Sequence, residues 1–485
     1  MSAALLLTVV AGYFLLLFGV ARWAARRGGA ADNDSFFIGN RRSPWLLVAF
    51  GMIGTSLSGV TFISVPGSVG AGQFGYLQIA LGQFVGYALI AFVLLPLYYA
   101  LRVTSIYELL AARLGGEAQR SGALFFVVSR LLGATARLYL VGRVLHDGVL
   151  QPLVPFELPF AVTAAVLVGV VFLYTIEGGV KAIVWTDTLQ TSGMLIGLLA
   201  SAAWVLQALQ MDIGQAWAAM GELGLNRVWQ HDPDAPSFWA KQLLAGVAIA
   251  VAMTGLDQEM MQKNLSVPRL ADAQRNVLLM STLMLGVVFL FLWLGGLLHL
   301  FAARTGLAAR GDSLFPAVVL GHLPLLAQVV FVLALVSALL PSADGALTAL
   351  TASTCLDLLR SQTRAEAERT RLRRRVHRLY ALAFLALVLL FRWLDDPSMI
   401  QLILKLAGYT YGPLLGLFLF ALLAQARRLR PAGVLPVALL APLACGVIDA
   451  HQAALLGSYR IGLEMLLLNA LFTLGGLWLV SRKAS

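Results

Sequence analysis

The chain has 485 residues, of which 59% are hydrophobic and 12% charged, with a mean hydropathy of +0.83. A water-soluble domain carries about 25% charged residues, so lipid covers most of this surface and no separate soluble domain is left over. The net charge of +11 sits mainly in short loops on one side, with no basic face interleaved with aromatics, so it reads as membrane topology and excludes nucleic acid as a partner.

Apolar runs of about 18 residues or more, each long enough to cross a hydrocarbon core, recur along the chain. They predict helices near residues 3–22, 44–70, 75–100, 120–148, 158–176 and 185–208, then 240–262, 275–302, 322–357, 376–394, 399–424, 432–448 and 460–481. The expected fold is therefore an all-α integral membrane protein of about thirteen spans. The first run, from Ala3 to Val20, lacks a basic leader and a small-residue cleavage site and is followed by Arg22, Arg26 and Arg27, which predicts a retained helix. Alternate loops collect most of the Lys and Arg residues, including the run from Arg360 to Arg378. That asymmetry predicts a multi-pass protein of the cell membrane with its N-terminus outside and its C-terminus in the cytoplasm. Cys355 and Cys445 lie in apolar stretches and the six histidines are scattered, so neither a disulfide framework nor a thiolate or histidine metal site is expected.

Two hydrophobic segments are unusual. GMIGTSLSGVTFISVPGSVG in the second run is rich in Gly, Ser and Thr and holds Pro66, and AVAMTGLDQEMMQKNL in the seventh has Thr254 and Gly255 just before Asp257 and Gln258. They lie five helices apart. Interrupted spans at matching positions of two five-helix halves point to an inverted-repeat transporter whose binding site sits where the helices break. Unwound backbone at membrane depth survives only against an ion, a substrate or other protein. Small residues that merely let helices pack closely are the alternative reading.

Charged residues inside the apolar runs are costly enough to need a partner. Asp187 and Asp344 are two such carboxylates, each expected to meet a cation or proton, unless Asp187 caps the start of its helix. In the fourth run Arg130 and Arg137 are seven residues apart and share a face near the middle of the span. With few membrane acids to pair them, Arg137 or its neighbour either joins a buried acid or grips a substrate carboxylate by two hydrogen bonds. Arg143 either snorkels or pairs with Asp147 one turn on, and Lys405 reads as a snorkelling base. Ser58, Thr61, Gln78, Gln83 and Thr254 are the polar candidates for lining a substrate cavity with Arg137.

Four stretches in order along the chain carry a family resemblance: FFIGNRRSPWLLVAFGMIGTSLSGVTFI, YTIEGGVKAIVWTDTLQ at Tyr174 to Gln190, GLDQEMMQKNL at Gly255 to Leu265, and YTYGPLLGLF at Tyr409 to Phe418. Together they resemble the sodium/solute symporters over nearly the whole chain. The resemblance implies two inverted five-helix repeats with broken first and sixth core helices. The repeats would cover residues 35–210 and 238–425, with an extra helix at 1–30 and two C-terminal helices at 430–485. It implies sodium as coupling ion, held by the backbone carbonyls of Gly54 and Leu57 together with Ala338 and Ser342. It also implies a second cation near Asp187, a region that Asp344 could share. Family members commonly have a hydroxyl at the position of Pro341, which has none; proline instead frees the Ser337 carbonyl one turn earlier. The expected function is sodium-coupled symport of a small polar solute, carboxylated or sugar-like, by alternating access. A proton-coupled or uncoupled carrier of the same fold is the alternative. The sugar-carrier positions read as Gly82, Ala250 and Met253, which does not support a simple hexose site. The partners expected are the small-molecule substrate and the lipid bilayer, with no obligatory protein partner. A membrane enzyme would need a polar cluster at the membrane face and a receptor a signalling domain, and the sequence offers neither.

Overall fold

At membrane depth a backbone amide or carbonyl without a partner costs several kcal/mol, and the long apolar runs answer that cost by closing their hydrogen bonds within helices. The computed structural model describes residues 3–26, 33–394 and 399–483. Helix α1 (Ala3–Arg26) and the short α2 (Asn33–Ile38) precede α3 (Trp45–Ser56) and α4 (Gly59–Gly72). The chain returns through α5 (Tyr76–Leu89), a π turn and α6 (Leu95–Ala100), and α7 (Glu108–Leu114) leads into α8 (Gly116–Leu145). Next come α9 (Phe160–Leu209), α10 (Ile213–Glu222), α11 (Trp239–Ala250), α12 (Gln258–Leu265) and α13 (Leu270–Thr305). The remainder is α14 (Leu314–His322), α15 (Leu325–Ser353), α16 (Glu366–Leu394), α17 (Met399–Leu423), α18 (Pro431–Ala450), α19 (Gln452–Leu456) and α20 (Met465–Val480). A two-stranded antiparallel pair, β1 (Arg427–Leu429) with β2 (Ser481–Lys483), ties the ends of α17 and α20 together; the sequence pattern did not foretell it.

Among the described residues, eight helices are long and apolar enough to cross a membrane, and two bent pairs pass the same test. Three shorter apolar helices cover Thr8–Ala24, Phe160–Ile176 and Met465–Val480. The bent pairs are the two unusual segments. The α3/α4 pair turns by 55° and the α11/α12 pair, extended by a π turn at Val251–Gly255, by 64°. In the first pair the helix stops at Leu57 (φ −93°, ψ 69°), where Gly, Ser and Thr residues make helix continuation weakest. Pro66 is not at the break; it lies inside α4. In the second pair Asp257 caps α12, its carboxylate accepting from the N–H groups of Glu259 (2.9 Å) and Met260 (3.3 Å). The long α9 bends at Gly179 (φ 52°, ψ −158°), a backbone state open to glycine, and a side chain there would press on the Phe36 carbonyl carbon at 2.9 Å.

Close packing brings the broken helices against α9 and α15. The α9 and α15 helices share the largest helix–helix contact, where Gly193 meets Ser337 and Gly197 meets Ala334. On the other side α5 and α11 approach until a Cβ on Gly246 would lie 3.0 Å from both the Gly82 Cα and the Gln83 nitrogen. Small residues at such crossings let backbones meet where lipid supplies no hydrophobic drive. Gly246→Leu should therefore overpack the α5/α11 crossing, costing about 1–3 kcal/mol and lowering the melting temperature in detergent. Gly286→Ala, at a position with open space around it, is the matched control and should melt as the parent does.

Candidate functional site

The break between α3 and α4 leaves the last carbonyls of α3 without intrahelical donors. Three elements converge there. A Cβ on Gly54 would touch Thr191 of α9 and lie 3.6 Å from Pro341 Cγ of α15, and one on Gly59 would lie 3.6 Å from the Ala338 carbonyl carbon. The structure thus brings Gly54 and Gly59, on either side of the broken turn, to the Ala338–Ser342 stretch of α15. The hydroxyls of Ser342 and Thr191 are buried there without hydrogen-bond partners among the described residues. Pro341 donates no N–H to Ser337, which leaves that carbonyl open as well. Backbone carbonyls and orphaned hydroxyls form an oxygen-rich cradle, and that donor set fits a hard cation.

Beside the break lies a cavity of about 100 Å³. Ser58, Thr61, Gln83, Arg137 and Thr254 line it, together with Tyr76, Tyr87 and Arg130 and an apolar wall that includes Met253, Met260, Met284 and Ile403. Gln78 does not reach it. Its amide donates to the Gly75 carbonyl (3.2 Å) and the Ser237 carbonyl (3.4 Å) and accepts from the Gln230 N–H (3.4 Å), so it fastens an outer loop instead. Arg137 has no hydrogen bond or ion pair to any described residue and looks into the cavity and the crevice beneath it.

Below the cavity is a network of buried charge. Arg130 pairs with Glu259 and lies 3.6 Å from Asp257, whose carboxylate accepts from Tyr411 OH at 2.7 Å. Lys263 donates to Asp187 Oδ2 and to Thr55 Oγ1, both at 2.7 Å. Asp344 accepts from Tyr174 OH at 2.6 Å and from the Gly345 N–H at 2.5 Å. The ionic groups are all at most 4% exposed. Asp187 therefore does not cap a helix start: it lies within α9 and its counter-ion is a lysine. The expectation that few membrane acids could pair Arg130 also fails, because Asp257 and Glu259 do so. Nearer the surface, Asp147 is held by two hydrogen bonds from Arg392 (2.7 and 3.1 Å), and Arg143 lies over the Tyr139 ring at 5.7 Å. Lys405 is not a free snorkelling base, since it pairs with Asp449 at 3.0 Å.

Residues 36–435 match the model of the sodium:solute symporter family. The chain belongs to the sodium:solute symporter family. It is similar to the human sodium/iodide cotransporter, with 25% identity over 86% of this chain and 66% of that one. It is also similar to the human sodium-coupled monocarboxylate transporter 1, with 26% identity over 83% of this chain and 66% of that one. It thus spans about two thirds of the length of these relatives. A Na⁺-coupled sialic acid symporter, solved in a substrate-bound outward-open state, superposes with a TM-score of 0.82 at 16% identity, over 98% of this chain and 97% of that one. The likeness shows a shared fold.

Within this symporter fold, the residues that sequence reasoning missed are Glu259, Lys263 and the cavity tyrosines Tyr76 and Tyr87. Glu259 and Lys263 were legible as a pair one turn apart on α12, but their partners come from α8 and α9, far away in sequence. Removing one member of a buried pair strands the other and costs about 3–5 kcal/mol. Lys263→Met should accordingly lower the melting temperature in detergent sharply. The double variant Lys263→Met with Asp187→Asn should regain most of the loss, because neither member of that pair is left without the other.

Proposed function

We propose that this protein is a secondary active transporter that couples sodium entry to uptake of a small carboxylated or otherwise anionic solute by alternating access. The observation that carries this reading is Arg137, a guanidinium with no hydrogen bond or ion pair among the described residues, facing a small cavity of mixed polar and apolar lining beside a broken helix. An anion with two acceptor oxygens satisfies such a fork by two parallel hydrogen bonds. Ser58, Thr61, Gln83 and Thr254 would orient the solute, whereas Gln78, engaged elsewhere, is set aside. Relatives named for iodide and monocarboxylate transport support an anionic cargo.

Sodium would sit between the Gly54 and Leu57 carbonyls and Ala338 and Ser342, a reading supported by the orphaned hydroxyls of Ser342 and Thr191. The two bent pairs support inverted repeats over residues 35–210 and 238–425, flanked by a helix at 1–30 and two helices at 430–485. The loop charges support a cell-membrane orientation with the N-terminus outside.

Proton coupling is the second reading, favoured by one observation. Four buried carboxylates, Asp187, Asp257, Glu259 and Asp344, surround only two paired cations, Arg130 and Lys263. The excess suits a bound proton or a second cation, with Asp344 facing Tyr174 rather than a base.

Uptake into proteoliposomes, with and without a sodium gradient and across a pH series, separates the two. Ser342→Ala should raise the sodium concentration for half-maximal uptake roughly tenfold, equivalent to about 1.4 kcal/mol. Equal uptake by both variants in sodium-free buffer would remove sodium from the mechanism. Arg137→Lys should insert normally yet weaken binding of a carboxylated solute by roughly 10- to 100-fold, with a neutral analogue little affected. Normal transport of the acid by the lysine variant would make Arg137 a packing residue.

A further inference from the structure

The cation cradle and the anion cavity are joined by a run of buried charges that the sodium-coupled reading leaves without a role. Lys263 divides its ammonium between Thr55 Oγ1 and Asp187 Oδ2. Thr55 directly follows Gly54, so this ammonium abuts the broken turn beside the cradle. One helical turn back on α12, Glu259 lies between the two cations. Its Oε2 bonds to Arg130, while its Oε1 stands 3.8 Å from Lys263 Nζ and is buried without a hydrogen-bond partner. Arg130 itself lines the cavity. The run therefore reads, from one site to the other, Thr55 and Asp187, Lys263, Glu259, Arg130.

We propose that Glu259 is a positioning residue that couples ion binding to solute binding by switching its carboxylate between Arg130 and Lys263. The proposal rests on the reading of the protein as a sodium-coupled anion transporter. A cation entering between α3, α9 and α15 sets a second positive charge beside Lys263 and drives the ammonium away from Thr55. Two unpartnered carboxylate oxygens surround that ammonium. One is Asp187 Oδ1, on the carboxylate that the arriving cation itself attracts, and the other is Glu259 Oε1. Lys263 accordingly swings to Glu259, and Glu259 loosens its hold on Arg130. Asp257, at 3.6 Å and itself fixed by Tyr411, keeps the guanidinium at the cavity wall. Arg130 then joins Arg137 in offering N–H groups to an anion. Asp344 stays out of the exchange because Tyr174 and the Gly345 N–H occupy its oxygens. The sign follows: sodium tightens anion binding, and by linkage the anion tightens sodium binding by the same factor.

The test is binding of radiolabelled pyruvate to the purified full-length protein, in sodium chloride and in choline chloride at equal ionic strength. Sodium should tighten binding to the wild type roughly tenfold, within the range of ordinary coupling between sites. Glu259→Gln should still bind pyruvate, but with a sodium-to-choline affinity ratio near one, and Glu259→Asp should restore part of the ratio. A purely structural glutamate would change stability or affinity in both buffers and leave the ratio intact. The double variant Arg130→Met with Glu259→Gln removes both charges together and so avoids a stranded one; its ratio should also be near one. A tenfold ratio retained in either variant overturns the relay while leaving sodium coupling in place. A wild-type ratio near one, or no pyruvate binding in either buffer, overturns the reading on which the relay rests, and the relay with it.

Discussion

The compensation of charge and backbone polarity away from water is the constraint on which the rest of this structure depends. A buried ion left alone costs far more than any single packing contact returns, and an unwound turn in hydrocarbon leaves carbonyls that demand a partner. Both debts fall in one place. The breaks after α3 and before α12 meet α9 and α15, and there Lys263 pairs with Asp187 of α9 while Glu259 and Asp257 pair with Arg130 of α8. Helices elsewhere in the chain need only be apolar; these must also match in charge and register.

The same constraint orders the site. Gly54, Gly193 and Gly197 bring α3, α9 and α15 close enough for a carbonyl on one helix to share space with a hydroxyl on another. At Ser342 and Thr191 hydroxyls are left without partners among the described residues, both on helices that close on the broken turn. A buried oxygen left so is costly alone and favourable beside a cation.

Much of this was legible in the sequence, for reasons that differ by element. Apolar run length reports bilayer thickness, so the spanning windows could be read directly, and local composition marked the two bends because glycine, serine and threonine weaken a helix wherever they cluster. The residues expected to hold sodium came from the resemblance to the symporters, and of these Gly54 lies beside Pro341, next to Ser342, in the fold. What sequence could not supply was the pairing of side chains from distant helices. Arg130 and Glu259 are 129 residues apart, and Lys263 and Asp187 are 76 apart; nothing in local periodicity names such partners. Gln78 shows the same gap on a smaller scale, since it shares a helix with Gln83 yet turns to an outer loop. The β1–β2 pair escaped because RRL and SRK carry no alternation to read.

The contact between Gly82 and Gly246 has a mechanical consequence. Two backbones that touch with no side chain between them have no rotamer to change, so α5 and α11 form a joint without slack. When one tilts the other travels with it, and the cavity wall made by Tyr76, Gln83 and Tyr87 moves as one panel with that of Ile249 and Ala250. Across the cavity this panel faces α8 and α17, whose contributions are Arg130, Arg137, Ile403 and Leu404. Both guanidinium groups thus stand on the jamb rather than on the door.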